Sequence, residues 1–464
     1  MRTTSEQRWV LGLASIGSVM VALDVLVVAA ALTTIRADLG ASAEQLEWTV
    51  NAYALSFAML LMTAAAIGDR WGRRRTFAAG LGLFTAASVA CAMANTLPLL
   101  IAARAVQGVG AAVVMPLAMG LLGAAFPPER RGWATGVFSG LTGLAVLAGP
   151  MIGGAVTEGL AWQWIFWINV PVGLVAIPFV LRKIPESTGP VRRLDLTGAI
   201  LISLAVLGLV WGVVNGQSKG WSSAEVLGSL IAGVVLLGAF AAWEQRTEHP
   251  MIPLPFFRIP TFSAANSAGF FLSAALFSAV FFLSQYMQVV LGSGPFMAGL
   301  KLLPWTATLF IVGPLAGRLV DRVGERPLVV VGLTLQTIGM LWLSLISHGT
   351  HEYYEFVLPL VISGCGISLA MPAAQSAGVG ALPRESVGIA SGVYSMTRQL
   401  GGVAGVAVLG SVFVSAGGYA GHGFTRALAG CGVLSLLGAL SGLGITARRR
   451  TQGPVVTKVA EGVG

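Results

Sequence analysis

Ala65-Ala66-Ile67-Gly68-Asp69-Arg70-Trp71-Gly72-Arg73-Arg74 and Gly317-Arg318-Leu319-Val320-Asp321-Arg322-Val323-Gly324-Glu325-Arg326 are two copies of one pattern, Asp-Arg-x-Gly-x-Arg, set 252 residues apart. Each copy closes one apolar run and opens the next. A basic loop that only fixes membrane orientation needs its arginines; the matched Asp and Gly need a second reason. The Gly permits a tight turn, the Asp can accept from backbone N–H groups at a neighbouring helix start, and the arginines can anchor to acidic side chains or lipid phosphates. Such a loop can latch one helical bundle to another in one conformation and release it in the next. The candidate latch is therefore Asp69, Arg70, Gly72 and Arg73, with Asp321, Arg322 and Gly324 in the second copy.

The runs around these loops decide the class. Apolar residues make up 55% of the 464, and 28 Lys and Arg with 19 Asp and Glu make only 10% charged. Soluble chains carry about 25% charged residues, so this chain belongs in a bilayer. Spanning hydrocarbon takes about 20 apolar residues, and fourteen runs qualify: 9–32, 48–68, 76–95, 98–121, 134–156, 165–181, 196–214, 224–243, 262–288, 298–317, 328–347, 356–375, 388–414 and 425–446. These runs are continuous, unlike the short alternating strands of a membrane β-barrel. The 61 Gly and 21 Pro suit closely packed helices whose broken backbone is satisfied by neighbours.

Charge placement sets the orientation. The alternate segments that include Arg70 to Arg75 hold 22 of the 28 basic residues, against 4 on the other side (Arg36, Lys219, Lys301 and Arg426), so both termini are expected in the cytoplasm. A formal charge of +9 is thus a topology signal, and nucleic acid is not an expected partner. A cleaved signal peptide ending at Ala29-Ala30-Ala31 would interrupt its apolar region with Asp24 and spoil the even span count. Cys91, Cys365 and Cys431 lie inside apolar runs without CxxC spacing, and His348 and His351 cannot close a metal site between them, so no metal is expected.

Further motifs appear in order. Arg104-x-x-Gln107-Gly108-x-Gly110 lies in the fourth run, Gly149-Pro150-x-x-Gly153-Gly154 in the fifth, and Trp162-Gln163-Trp164-Ile165-Phe166-Trp167-Ile168-Asn169-Val170-Pro171-Val172-Gly173 opens the sixth. With the repeated loop, they resemble the major facilitator superfamily, in its fourteen-span drug:proton antiporter branch. The sequence departs from that pattern at Ala65, where Gly is usual, and at Gln163, where Arg is usual. The resemblance implies an all-α membrane fold of two six-helix bundles with two inserted helices. The corresponding division is 1–183, 194–246 and 255–450, with 451–464 as a cytoplasmic tail. It also implies that Gly149, Pro150, Gly153 and Gly154 form an antiporter packing motif. A second Gly-rich span with Gly401, Gly402, Gly405 and Gly410 holds the equivalent place in the other half, and facing Gly surfaces are expected to let the bundles meet and rock.

Away from the span ends, three charged residues fall inside spans: Asp24, Arg104 and Arg398. Such residues are costly in hydrocarbon and mark function by default. Asp24 lies about 12 Å, and Arg104 about 9 Å, below the outer ends of their helices at 1.5 Å per residue, so the two can meet. Burial disfavours a carboxylate and a guanidinium favours it, so a changing Asp24–Arg104 distance changes proton affinity. That makes the pair the candidate proton-coupling site, with Asp24 the candidate either for proton carrier or for counter-charge of a cationic substrate. Tyr53, Gln107, Tyr286 and Arg398 are candidate cavity residues, and Trp48, Phe57, Phe281 and Trp305 are further aromatics for an adaptable apolar wall.

No phosphate-binding Gly-x-x-x-x-Gly-Lys-Ser/Thr loop and no nucleophile with a base is visible, so ATP hydrolysis and enzymatic chemistry are not expected. The reading is efflux by alternating access in a bacterial inner membrane: protons exchanged for a small lipophilic compound, cationic drugs or antibiotics among them, with the proton gradient as driving force and no cofactor. The alternative is an exporter of one self-made antibiotic or metabolite; a solute importer or a non-transporting sensor fits less well. A monomer is expected.

Overall fold

The computed structural model describes residues 4–188, 195–216, 219–247, 250, 252–347, 352–382 and 386–446. Among them the regular structure is helical throughout: α1 (Ser5–Leu39), α2 (Ala43–Trp71), α3 (Arg73–Ala92), α4 (Leu97–Ala125), α5 (Pro128–Gly159), and α6 (Trp164–Trp167) continued by α7 (Asn169–Lys183). The hairpin α8 (Leu196–Asn215) and α9 (Ala224–Glu244) follows. Then come α10 (Pro260–Val289), the broken rod α11 (Pro295–Lys301), α12 (Leu303–Thr306) and α13 (Thr308–Val323), and α14 (Glu325–Ile346), α15 (Tyr353–Gly380), α16 (Val387–Ser415) and α17 (Gly423–Gly442). Helices stand at all fourteen expected positions. Ten described helices are long and apolar enough to cross a membrane, or twelve if two bent pairs each count as one span; α5 and α8 fall outside that count.

Local chemistry sets the ends. Thr4 with Gln7 and Ser42 with Gln45 form reciprocal capping boxes at the starts of α1 and α2. Gly40 ends α1 in the left-handed conformation, and prolines fill first-turn positions of α4, α5, α10 and α11, where a missing N–H costs nothing. Gly72 and Gly324, the two loop glycines, both take positive φ, 107° and 87°, which L side chains rarely adopt. The turns at Gly40 and Gly72 mark opposite ends of the molecule.

The packing differs between those ends. Toward the Gly40 end one apolar core runs through both bundles, joining Val27, Leu100 and Phe166 to Phe282, Tyr286 and Phe424. Toward the Gly72 end the described cores are separate: Phe77, Phe84 and Leu117 in the first bundle, Leu272, Val329 and Tyr394 in the second. The bundles therefore share a core at the Gly40 end and have separate main cores toward the Gly72 end, where α2 and α16 still pack together. Contacts across the closed end include Gln288 with Thr33, Arg36 over the Tyr419 ring at 5.4 Å, and Phe296 N–H donating to Glu158 at 3.1 Å. The inserted hairpin packs Ile202, Val206 and Val210 of α8 against Leu55 of α2 and Val393 and Met396 of α16, bridging the bundles from the side. Exposed Ile231, Val234 and Val235 on α9, Ile311 and Leu345 would be a liability in water and suit a bilayer.

Glycine faces behave differently from expectation. A Cβ on Gly149 would meet Leu26 at 2.5 Å and one on Gly153 the Val27 carbonyl at 2.8 Å, both on α1 of the same bundle. Gly401 and Gly405 likewise press on α10, within the second bundle. Of these, only Gly154 touches the other bundle, where a Cβ would lie 2.4 Å from the Pro295 carbonyl. These Gly faces thus knit each bundle, and the seam is touched by Gly154 on the Pro295–Phe296 backbone. The side chain of Pro150 lies outside the described residues.

Candidate functional site

Asp24 lies where α1 passes from the separate core (Val21) to the shared one (Leu26), and Arg104 where α4 makes the same passage, between Ala103 and Ala111. The structure brings them into a salt bridge, the side chains 0% and 1% exposed. Arg104 Nη1 donates to Asp24 Oδ2, and also to Gln107 Oε1 at 2.7 Å. Gln107 Nε2 donates to Asp24 Oδ1 at 2.7 Å and to Ser88 Oγ at 2.9 Å, while Asn169 Nδ2 reaches Asp24 Oδ1 at 3.1 Å. Arg104 Nε donates to the Thr49 carbonyl at 3.1 Å, and the guanidinium lies 4.2 Å over the Tyr53 ring. Five helices, α1, α2, α3, α4 and α7, thus contribute to one sealed network. Tight approach makes it possible: a Cβ on Gly108 would sit 2.3 Å from the Tyr53 carbonyl, so α2 and α4 need Gly there.

A carboxylate buried this deeply is tolerable only with its hydrogen bonds made. Asp24 has both oxygens engaged and a neutralising guanidinium, and offers no free charge to a cationic substrate in this conformation. Gln107 and Tyr53, expected on a substrate cavity, are instead committed to this network. Tyr286 is also buried, its ring packed between Phe356 and Phe424 at 5.5 and 5.3 Å. Phe57, Phe281 and Trp305 are buried too; Trp48 alone of the expected aromatics lines a described cavity, an apolar cleft of about 450 Å³ formed with Ile101, Ala105, Leu207 and Trp211 between α2, α4 and α8. Arg398 remains partly exposed, Nε donating to Ser273 Oγ at 3.1 Å. His348 and His351 lie outside the described residues.

The first loop holds its own bundle together in this conformation. Asp69 accepts from Arg73 Nε at 2.7 Å, rather than from a neighbouring helix start, and Arg73 Nη1 donates to the Gly120 carbonyl on α4. Glu186, just past α7, accepts the Arg74 N–H at 2.9 Å and lies 3.5 and 3.6 Å from the Arg74 and Arg75 guanidinium Nε atoms. Arg70 and Arg322 are exposed. In the second copy Glu325 replaces Arg73 and accepts from Ser376 on α15, again the fourth rod of its own bundle; the Asp321 side chain lies outside the described residues.

The sequence that builds this loop, these bundles and this ion pair matches a family profile, that of the Major Facilitator Superfamily, over residues 14–406 and 267–462. The chain belongs to this superfamily. The multidrug resistance protein Stp of Mycobacterium tuberculosis is 33% identical over 402 residues, 86% of this chain and 74% of its own. The methylenomycin A resistance protein of Streptomyces coelicolor is 34% identical over 433 residues, covering 93% and 91%, and the tetracenomycin C resistance and export protein of Streptomyces glaucescens is 34% identical over 404, covering 86% and 75%. A POT family transporter crystallised with a thioalcohol-conjugated peptide superposes with a TM-score of 0.72 over 93% of this chain and 94% of its own, at 15% identity, and shares the fold. The chain is a multi-pass membrane transporter of this superfamily, not an enzyme.

Proposed function

We propose that this transporter expels lipophilic drugs or antibiotics from a bacterial cytoplasm in exchange for protons, with Asp24 as the proton carrier. The Gly40 end faces outward and the Gly72 end the cytoplasm, as the basic loops require. The conformation described is then closed outside and open inside, the state that loads substrate from within. The relatives named for multidrug and antibiotic resistance support the efflux direction.

The observation that carries the coupling is the sealed Asp24–Arg104 pair at the level where the bundles part. A proton on Asp24 cancels the charge opposite Arg104 and leaves a guanidinium in a site 1% exposed. That is costly, so proton uptake must be tied to a rearrangement that gives Arg104 water or another partner. Gln107 and Asn169 bridge α1 to α4 and α7, so the rearrangement moves helices as well as side chains. The Asp69 and Asp321 loops, packed on their own bundles here, are free to latch across the cytoplasmic side in the opposite state. The proton gradient supplies the work without a cofactor, and one chain holds the whole path, so a monomer suffices.

A narrower reading, export of one self-made antibiotic, draws support from relatives named for single compounds, tetracenomycin C and methylenomycin A. Expression in a pump-deficient host against a panel of lipophilic antibiotics separates the two: many resistances for the broad pump, one for the dedicated exporter. No resistance and no loss of accumulated compound from energised cells would defeat both.

A further inference from the structure

Arg398 stands eleven residues into α16, roughly 16 Å from its start and near mid-membrane. Its partner Ser273 sits between Leu272, in the second bundle's separate core, and Leu276, in the shared core. Along α16, Tyr394 belongs to the separate core and Val406 to the shared one. Arg398 is thus near the level where the second bundle passes from its separate core to the shared one, as Asp24 and Arg104 are in the first.

Its surroundings are the reverse of theirs. The guanidinium carries five N–H donors, and Ser273 satisfies one of them. Among the described residues no carboxylate forms an ion pair with it. One turn earlier the Tyr394 ring is held between α10 and α15, packed where Gly269 and Gly378 leave room, and its buried hydroxyl has no hydrogen-bond partner among the described residues. The residue itself keeps partial exposure. At this level the first bundle offers a neutral, closed network and the second a partly exposed positive charge with idle donors. A cation at membrane depth without a counter-charge is costly and calls for an anionic partner.

We infer that Arg398 is the specificity residue for the substrate, receiving a carboxylate on an otherwise lipophilic molecule, with the Ser273 and Tyr394 hydroxyls beside it. This deepens the efflux reading and rests on it. It turns the expected preference from cations to lipophilic acids, since a cation would meet Arg398 with no free carboxylate to offset it.

The test uses purified full-length protein in detergent and three probes: pyrenebutyrate, its uncharged methyl ester, and the cation ethidium. Wild type should bind pyrenebutyrate at least about tenfold more tightly than the ester, the range of a charge-assisted contact. Arg398→Gln should erase that preference and leave ethidium binding unchanged or stronger; Arg398→Lys should keep part of it. If Arg398→Gln does not fold, Tyr394→Phe, expected to lower the preference a few-fold, carries the test with Arg398→Lys. A wild type without preference, or one retained in Arg398→Gln, overturns the inference. The same probes in energised inverted vesicles separate the two levels: uptake without charge preference defeats the role of Arg398 alone, whereas binding preference with no uptake of any probe defeats the efflux reading alone.

Discussion

Arg104 and Arg398 occupy corresponding heights in the two bundles and are treated in opposite ways. Arg104 is enclosed by a carboxylate, one amide, a backbone carbonyl and two aromatic rings, and is 1% exposed. Arg398 has a serine hydroxyl and remains partly exposed. A fully compensated buried charge resists change until its partner is neutralised, which suits a coupling element; an under-compensated, partly exposed one suits a ligand contact. The two bundles share an architecture and divide the labour, proton on one side and substrate on the other.

This contrast is broken first by stability. Arg104→Gln strands the Asp24 carboxylate and should cost about 3–5 kcal/mol, while Arg398→Gln should cost under about 1 kcal/mol. Thermal unfolding in detergent compares them, and the double variant Asp24→Asn with Arg104→Gln should recover most of the loss. Equal melting of the two single Arg variants would refute the difference in setting.

Next in size is the seam at the closed end. Gly154→Leu drives a branched side chain into the Pro295–Phe296 backbone and should disfavour outer closure by about 1–3 kcal/mol, cutting export at normal membrane abundance. Gly149→Leu strains Leu26 inside one bundle and should lower thermal stability instead. If both change only stability, Gly154 is not a gate contact. The smallest effect falls on the loop: Asp69 and Arg73 are 36% and 18% exposed, so Asp69→Asn should shift stability by no more than about 0.5 kcal/mol while reducing export rate through loss of the latch. Full export at equal abundance would leave the loop as a topology signal only.

The helix positions and the meeting of Asp24 with Arg104 were legible in the sequence, because apolar run length and charge depth are one-dimensional quantities. Gly72 and Gly324 were legible as turns because positive φ selects Gly. Asn169 and Ser88 were not singled out as partners of Asp24: uncharged polar residues occur throughout these spans, and only the crossing of α3, α4 and α7 shows which ones face the carboxylate. The sequence places Gln107 beside Arg104, but spacing on one helix cannot tell a network from an open wall. Glu186 as the counter-charge of Arg74 is 112 residues away in sequence and invisible to a local pattern. The shared core at one end and split cores at the other belong to a conformation, which the sequence encodes only as one of several.

Asp24 bears the central claim, and proton release measures it most directly. Substrate found in the antibiotic panel, added to purified protein in weakly buffered detergent solution, should release protons from wild type. Asp24→Asn should fold, release none and fail to export under a pH gradient in vesicles, while Asp24→Glu keeps partial activity. If Asp24→Asn releases as many protons as wild type and exports normally, coupling lies elsewhere and Asp24 serves only to hold Arg104.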